Sequence, residues 1–319
     1  MTTPAAIYLP VPGLDVSPGV RLLEAAGFRV HRLGGAALDE SAPRDAVALL
    51  AGYDPVGAPL FDRLPDLRIV ATHSAGYDMV DVDEARRRGL WVCNLPGGAT
   101  EEVAVHAFAL TLALLRRLPE WHRHVLGGGW DDEIPYPMRR PSALRCGVLG
   151  MGRIGRRYAG LAASVFGAVL GADPLVPASA WPAEVARVGV DELVDTSDVL
   201  SLHVPLTDDT RHVVDGRRLA AMPRGAVLVN ASRGALVDEA ALLAALDSGH
   251  LGAAGLDVLD GEPPRRGHPL LHHDRVLATP HVGYLSDDSL RDYAERPAAN
   301  VVAWLRTGRP NTPVVTADP

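Results

Sequence analysis

The stretch Cys146-Gly147-Val148-Leu149-Gly150-Met151-Gly152-Arg153-Ile154-Gly155 constrains this chain more than any other. An apolar run climbs into Gly150, and a helix-forming pattern follows Gly155. That is a strand, a tight turn and a helix, with glycines spaced G-x-G-x-x-G. Gly150 allows the sharp turn, Gly152 lets backbone approach a pyrophosphate, and Gly155 lets the helix pack close on the strand. The first N–H groups of the helix then face negative phosphates. Glycine-rich turns are common, so the motif alone is a weak signal. A second strand pattern at residues 169–172 ends in Asp173, 18 residues after Gly155, where a ribose-binding carboxylate is expected. An Asp-Pro turn is the competing reading of Asp173. Strand, turn, helix, strand and carboxylate together point to a dinucleotide site.

The 319 residues suffice for two domains, each with its own core. A net charge of −8 argues against nucleic acid or an acidic membrane as the main partner. Cys93 and Cys146 both sit in apolar strand-like runs and read as buried thiols of a reducing compartment. The N-terminus lacks a basic segment followed by a long apolar core, and the run at 103–115 is too short to span a bilayer. A cytoplasmic location is expected.

Strand patterns at 5–9, 28–33, 46–51, 68–72 and 90–93 alternate with helix-like stretches at 20–26, 60–61 and 82–88. Such alternation implies a parallel sheet covered on both faces. Thr100 reads as an N-cap with Glu101 and Glu102 in the first turn, and Pro119 stops the helix. This helix is expected to bridge two domains. Residues 131–141 are proline-rich and read as a loop or arm. From Arg145 onward six strand patterns follow, at 146–149, 169–172, 199–203, 226–230, 253–256 and 276–278. Six is the number of a doubly wound nucleotide-binding sheet. Several end in polar residues, where ligands of such sheets bind. The last helix pattern, 286–305, is expected to return to the first unit.

Three loops follow successive strands of the second half: Asn230-Ala231-Ser232-Arg233-Gly234, Leu256-Asp257-Val258-Leu259-Asp260-Gly261-Glu262-Pro263, and Thr279-Pro280-His281-Val282-Gly283. They offer a guanidinium, a carboxylate and an imidazole at one end of a sheet. Each residue alone has a bland reading, as a surface ion pair, a turn residue or a core histidine. Their joint occurrence favours a catalytic set.

With these loops, the glycine motif and His73-Ser74-Ala75-Gly76-Tyr77-Asp78, the chain resembles the D-isomer-specific 2-hydroxyacid dehydrogenase family, which includes glyoxylate/hydroxypyruvate reductases and phosphoglycerate dehydrogenases. The resemblance implies an α/β architecture: a Rossmann-type doubly wound parallel sheet at 99–286, and a flavodoxin-like α/β substrate domain made from both termini, 1–98 and 287–319. It implies NAD as cofactor, a small 2-oxo or 2-hydroxy acid of D configuration as substrate, and a homodimer. The family's catalytic residues fall on Arg233, Glu262 and His281. Its cofactor contacts fall on Gly150, Gly152, Arg153, Ile154 and Gly155 at the pyrophosphate, and on Asp173 at the adenosine ribose. His203, Val204 and Pro205 flank the adenosine half. Ala231, Ser232, Arg233, Asp257, His281 and Gly283 lie near the nicotinamide, with Asp257 accepting from the carboxamide. Ser74, Ala75 and Gly76 hold the substrate carboxylate with Arg233 and His281.

These residue types suit the chemistry. Reduction of a 2-oxo acid needs a proton as well as a hydride, and an imidazole at 281 supplies one near neutral pH. Glu262 would stabilise the imidazolium. Arg233 would fork across carboxylate and carbonyl oxygens. Pro174 and Leu175 follow Asp173 instead of a basic pair, which favours NAD over NADP. Tyr53 is a candidate wall for the substrate side chain, an ordinary packed tyrosine being the alternative. His268, His272 and His273 read as a solvated loop, and no metal site is expected. Trp121, His122, His124 and Trp130 suggest a subunit contact. Val105, Arg140 to Arg145 and Tyr284 depart from the family's usual pattern and obscure the substrate. Phosphite oxidation on the same trio and a nucleotide-sensing, corepressor-like protein are the competing functions. Gln replaces Glu262 in the formate enzymes of the superfamily, which counts against formate.

Overall fold

The computed structural model describes residues 3–9, 11–33, 42–132 and 138–316. Residues 133–137, in the proline-rich segment, lie outside that set. The chain divides into two compact units, Met1–Ala99 with Leu285–Pro319, and Thr100–Tyr284.

In the first unit the four inner parallel strands are short and apolar, so helices cover both sides, while the edge strand Arg29–Arg32 is polar and partly exposed. The strands are β1 (Ala5–Tyr8), β2 (Arg29–Arg32), β3 (Ala46–Ala51), β4 (Ile69–Thr72) and β5 (Trp91–Cys93), separated by α1 (Ser17–Ala25), α2 (Ala58–Arg63) and α3 (Val82–Arg87). The first five strands run parallel in the order β5-β4-β3-β1-β2, the flavodoxin-like order.

The second unit begins with α4 (Thr100–Leu115) and α5 (Leu118–Leu126). Then come β6 (Arg145–Leu149), α6 (Arg153–Ala163), β7 (Ala168–Ala172), β8 (Ala186–Arg187), α7 (Val190–Thr196), β9 (Val199–Leu202), α8 (Gly216–Ala221), β10 (Val227–Asn230), α9 (Glu239–Asp247), β11 (Ala253–Leu256) and β12 (Val276–Ala278). Its parallel sheet runs β12-β11-β10-β9-β6-β7-β8. That is the doubly wound nucleotide-binding order with one strand added beyond the sixth. The sequence reading missed β8, whose two exposed residues carry no apolar signal. Thr100 is already helical, and Pro119 both ends α4 and opens α5, where its missing N–H costs nothing. Arg117, between them, turns the chain at φ +53°. Helix α4 packs on α6, β10 and β11 of its own unit.

The chain then returns to the first unit as α10 (Asp287–Thr307) and β13 (Pro313–Val315), which pairs antiparallel with β5. Ser286 and Ser289 form a capping box at the start of α10. Pro297 lies inside α10 and has no N–H for the carbonyl of Tyr293. His73 fills the gap: its Nδ1 donates to Tyr293 O at 2.7 Å. Burial pushes the His73 imidazole down to about 4, with the Tyr293 carbonyl opposing, so the ring is neutral with its proton on Nδ1. The residue before the 74–76 loop is thereby anchored to α10. Both cysteines are buried thiols, and burial holds Cys146 up at about 12, far from reactivity. No helix among the described residues is long and apolar enough to cross a membrane.

Candidate active site

The glycine motif forms the turn between β6 and α6. Gly150 takes φ +96°, and a Cβ there would lie 2.5 Å from His203 O. A Cβ on Gly155 would lie 1.9 Å from Gly150 O, so only glycine lets α6 seat on the turn. Gly152, the N-cap of α6, is different: a Cβ there would meet nothing within 4 Å. No side chain caps this helix start. Open space over uncapped N–H groups at a helix N-terminus fits a phosphate. Arg153 is exposed and Ile154 half-buried on the first turn.

Asp173 stands at the end of the neighbouring strand β7. Its Oδ2 accepts from Met151 N at 2.8 Å and its Oδ1 from Leu175 N at 2.9 Å. The carboxylate is thus tied to the glycine turn while each oxygen keeps a further acceptor site for a hydroxyl. His203, at the end of β9, holds Ser201 Oγ at 2.9 Å through Nε2 and lies against the Tyr158 ring. Burial pushes His203 down to about 3, so the ring is neutral. Its Nδ1 is buried without a partner among the described residues. Val204 is half-buried and Pro205 exposed beside it. The cradle, the carboxylate and the unpartnered nitrogen all fit a dinucleotide along this edge.

The Arg233 loop is pinned from below. Asn230, 1% exposed, accepts from Ser232 N at 3.0 Å and donates to Arg233 O at 2.8 Å. Ser232 Oγ donates to Leu202 O at 2.7 Å, stitching the loop to β9. Gly234 then packs so tightly that a Cβ would lie 1.9 Å from Leu259 C. The loops bearing Arg233 and Glu262 therefore touch through backbone.

Glu262 and His281 are paired, Nδ1 to Oε2 at 2.5 Å, and Glu262 Oε1 accepts from Leu259 N at 2.9 Å. Burial pulls the Glu262 carboxyl up. The hydrogen bonds from His281 and Leu259 N–H, and the charges of His281 and Arg233, pull it down further, below its ordinary value. An ionised Glu262 only accepts, so His281 Nδ1 carries the proton and Nε2 is left for other work. His281 adopts φ +53°, a left-handed conformation that costs a branched or ringed residue roughly 1–2 kcal/mol.

Asp257 is held by neighbouring groups of the protein. Its side chain is 2% exposed, and both oxygens serve the loop at 279–283. Oδ1 accepts from Thr279 Oγ1 at 2.6 Å and Val282 N at 3.0 Å, and Oδ2 from Gly283 N at 2.8 Å. The reason is tertiary: β11 and β12 are paired neighbours, so a carboxylate at the end of β11 is the nearest acceptor for amides of the loop that leaves β12. Sequence reasoning missed Thr279 and His106 in this cluster; the signal was the Thr-Pro-His order itself.

In the first unit, Ser74 Oγ donates to Gly76 O at 2.6 Å. Ser74 O accepts from Leu95 N at 3.0 Å, and Ala75 O from Asn94 Nδ2 at 2.7 Å. The 74–76 loop is thus held by its carbonyls. Tyr53 is exposed. Among the histidines read as a solvated loop, His268 is instead paired, Nε2 to Glu239 Oε2 at 3.2 Å, because α9 brings the acid from far back in the chain. His273 lies 3.4 Å from Asp247. No group of three or more His, Cys, Asp or Glu among the described residues could hold a metal.

The D-isomer specific 2-hydroxyacid dehydrogenase, NAD binding domain, matches residues 108–283. A glyoxylate reductase of Korarchaeum cryptofilum is 40% identical over 259 residues, covering 79% of this chain and 77% of the relative. A D-lactate dehydrogenase from Aquifex aeolicus, solved with NAD and lactic acid, superposes with a TM-score of 0.86 at 28% identity, covering 97% of this chain and 99% of that one. An NADPH-dependent glyoxylate/hydroxypyruvate reductase from Sinorhizobium meliloti, solved with NADP and malonate, gives 0.85 at 32% identity, covering 98% and 97%. Fold order, glycine turn and these likenesses agree: the chain belongs to the D-isomer specific 2-hydroxyacid dehydrogenase family, oxidoreductases that use a nicotinamide dinucleotide on 2-hydroxy and 2-oxo acids.

Proposed function

We propose that this protein reduces a small 2-oxo acid to the D-2-hydroxy acid with NADH, and runs the reverse oxidation with NAD. The bound nicotinamide supplies the hydride for reduction and takes it back in oxidation. His281 holds the transferable proton on Nε2 and gives it to the developing alkoxide. Glu262 fixes the tautomer and steadies the imidazolium. Arg233 orients the carboxylate and polarises the carbonyl through its planar fork. Ser74, Ala75, Gly76 and Tyr53 keep the substrate-side role that the resemblance implies. Gly150, Gly152, Arg153, Ile154 and Gly155 hold the pyrophosphate. His203, Val204 and Pro205 take the adenosine, and Ala231, Ser232 and Gly283 flank the nicotinamide. Asp257 acts chiefly by holding the 279–283 loop. The substrate domain is 1–98 with 287–319, and the cofactor domain 99–286. A cytoplasmic homodimer completes the reading, supported by Leu126 and Trp130 near the end of α5, 74% and 88% exposed.

The observation that carries the proposal is the His281–Glu262 pair at 2.5 Å on a loop-end edge shared with Arg233. The relatives are reductases and dehydrogenases of hydroxy acids, which favours this chemistry over phosphite oxidation or a non-catalytic sensor. The test is loss of NADH absorbance with glyoxylate, hydroxypyruvate and pyruvate, with phosphite and NAD as the contrast. Turnover on a 2-oxo acid is expected. Tight NADH binding without turnover on any of these would favour a sensor.

The carboxylate at 173 also gives the cofactor choice. A 2′-phosphate beside it would bring two like charges together. Asp173→Ala is expected to raise the NADPH/NADH ratio of kcat/KM by about tenfold or more, some 1.4 kcal/mol. An unchanged ratio would remove Asp173 from cofactor selection.

A further inference from the structure

Thr279 sits two residues before His281 and belongs to none of the roles above. Its Oγ1 lies 2.6 Å from Asp257 Oδ1 and 2.9 Å from Nε2 of His106, on α4. The same Nε2 is 3.4 Å from Asp257 Oδ1. Burial pushes the Asp257 carboxyl up, but the hydrogen bonds from His106, Thr279 and the Val282 and Gly283 amides hold it below its ordinary value. An ionised carboxylate only accepts, so Thr279 must donate its single proton to Oδ1. The hydroxyl oxygen must then accept from His106, which places the His106 proton on Nε2. The chain His106 to Thr279 to Asp257 therefore runs in one direction.

What this chain holds is the backbone of His281. His281 N donates to Asp257 O at 2.8 Å and Thr279 O at 3.0 Å, while its φ is +53°. The amides of Val282 and Gly283 reach Asp257 Oδ1 and Oδ2 at 3.0 and 2.8 Å. A Cβ on Gly283 would sit 2.8 Å from Oδ2, so the loop is drawn against the carboxylate as closely as glycine permits. A left-handed residue persists only where its surroundings over-determine it. We infer that His106 and Thr279 are positioning residues: together they lock the 279–283 loop on Asp257 and so hold the His281 ring on Glu262. Helix α4 thereby sets the aim of the acid/base, although neither side chain carries the reaction. The inference rests on His281 being the proton carrier.

The test uses the full chain, NADH, and whichever of glyoxylate, hydroxypyruvate and pyruvate the wild type turns over fastest. Thr279→Val keeps the volume and removes the donor. It is expected to lower kcat by about 10²-fold, the scale of a small misplacement of a reacting group. NADH binding, read by fluorescence titration, stays at the wild-type value, and the primary isotope effect with deuterated NADH rises as hydride transfer becomes limiting. Thr279→Ser, which restores the hydroxyl, recovers most of kcat. His106→Leu reproduces the loss and His106→Gln, whose amide can still donate, relieves it. If Thr279→Val fails to fold, the His106 pair gives the same reading. Wild-type kcat in Thr279→Val and His106→Leu, with His281→Gln inactive, overturns the inference and leaves the proton carrier in place. Equal losses in Thr279→Val and Thr279→Ser overturn it as well, since the methyl packing would then be at issue. Full activity of His281→Gln, or no turnover by wild type on any of the three acids, removes the underlying reading and this inference with it.

Discussion

Replacing His281 with glutamine is expected to lower kcat for reduction of a 2-oxo acid by about 10²–10⁴-fold, the range for removing a general acid. Glutamine reaches as far as the imidazole edge but has no proton to release at neutral pH. NADH binding is expected to persist, because the phosphate cradle at Gly152 and the carboxylate of Asp173 lie on other loops. Glu262→Gln should cost less alone, since it removes a partner and not the proton. The double variant should be no worse than His281→Gln, because residues that work as one unit lose their effect together. Arg233→Ala is expected to abolish turnover by another route, leaving the substrate unaimed and its carbonyl unpolarised.

A pH dependence accompanies this. The folded-state carboxyl of Glu262 lies below its ordinary value. It therefore stays ionised as pH falls through the ordinary carboxylate range, and the contact with His281 is lost only when pH falls through the depressed value. In His281→Gln a leading source of that depression is gone, so Glu262 is expected to titrate at higher pH than in wild type. Carbon-detected NMR titration of the glutamate carboxyl checks the direction. Single-turnover kinetics check the catalytic loss, and near-wild-type kcat in His281→Gln would end the assignment.

Gly234→Ala is expected to damage stability and turnover together. The added methyl would lie 1.9 Å from Leu259 C and 2.2 Å from Asp260 N, both backbone. Backbone cannot rotate aside as a side chain end does, so one loop must move. Overpacking of this kind costs typically 1–3 kcal/mol and occasionally more; with two backbone atoms this close, about 3 kcal/mol is expected. For a unit of this size that lowers the melting temperature by roughly 6–12 °C. The loops forced apart carry Arg233 on one side and the Leu259–Glu262 hydrogen bond on the other. The surviving folded protein is therefore expected to show reduced kcat as well. Gly152→Ala, where the Cβ meets nothing within 4 Å, is the contrast: little change in melting temperature but weaker NADH binding. Scanning calorimetry and NADH titration separate the two. A melting temperature for Gly234→Ala equal to wild type would show that the loops part without cost.

Much of the site was open to reading because its parts are short and local. A strand ending in Gly150, a helix starting after Gly152 and a carboxylate one strand later are set by neighbours along the chain. Hydrophobic periodicity and glycine sterics act over a few residues, so sequence order exposes them. The three loops at 230–234, 256–263 and 279–283 were likewise legible as polar ends of apolar strands. The strand β8 was not, because two exposed residues bear no pattern. Nor was the pairing of His268 with Glu239, which α9 brings back across the chain.

Composition, strand and helix periods and the glycine spacing determined the fold class, the dinucleotide edge and the identities of Arg233, Glu262 and His281 as candidates, since each depends on residues close in sequence. Only the tertiary structure decided what Asp257 holds, which nitrogen of His281 and of His106 carries a proton, and that His73 satisfies the carbonyl freed by Pro297. These are contacts between segments tens to hundreds of residues apart. Hydrogen-bond direction is a property of partners in space, and no spacing along the chain encodes it.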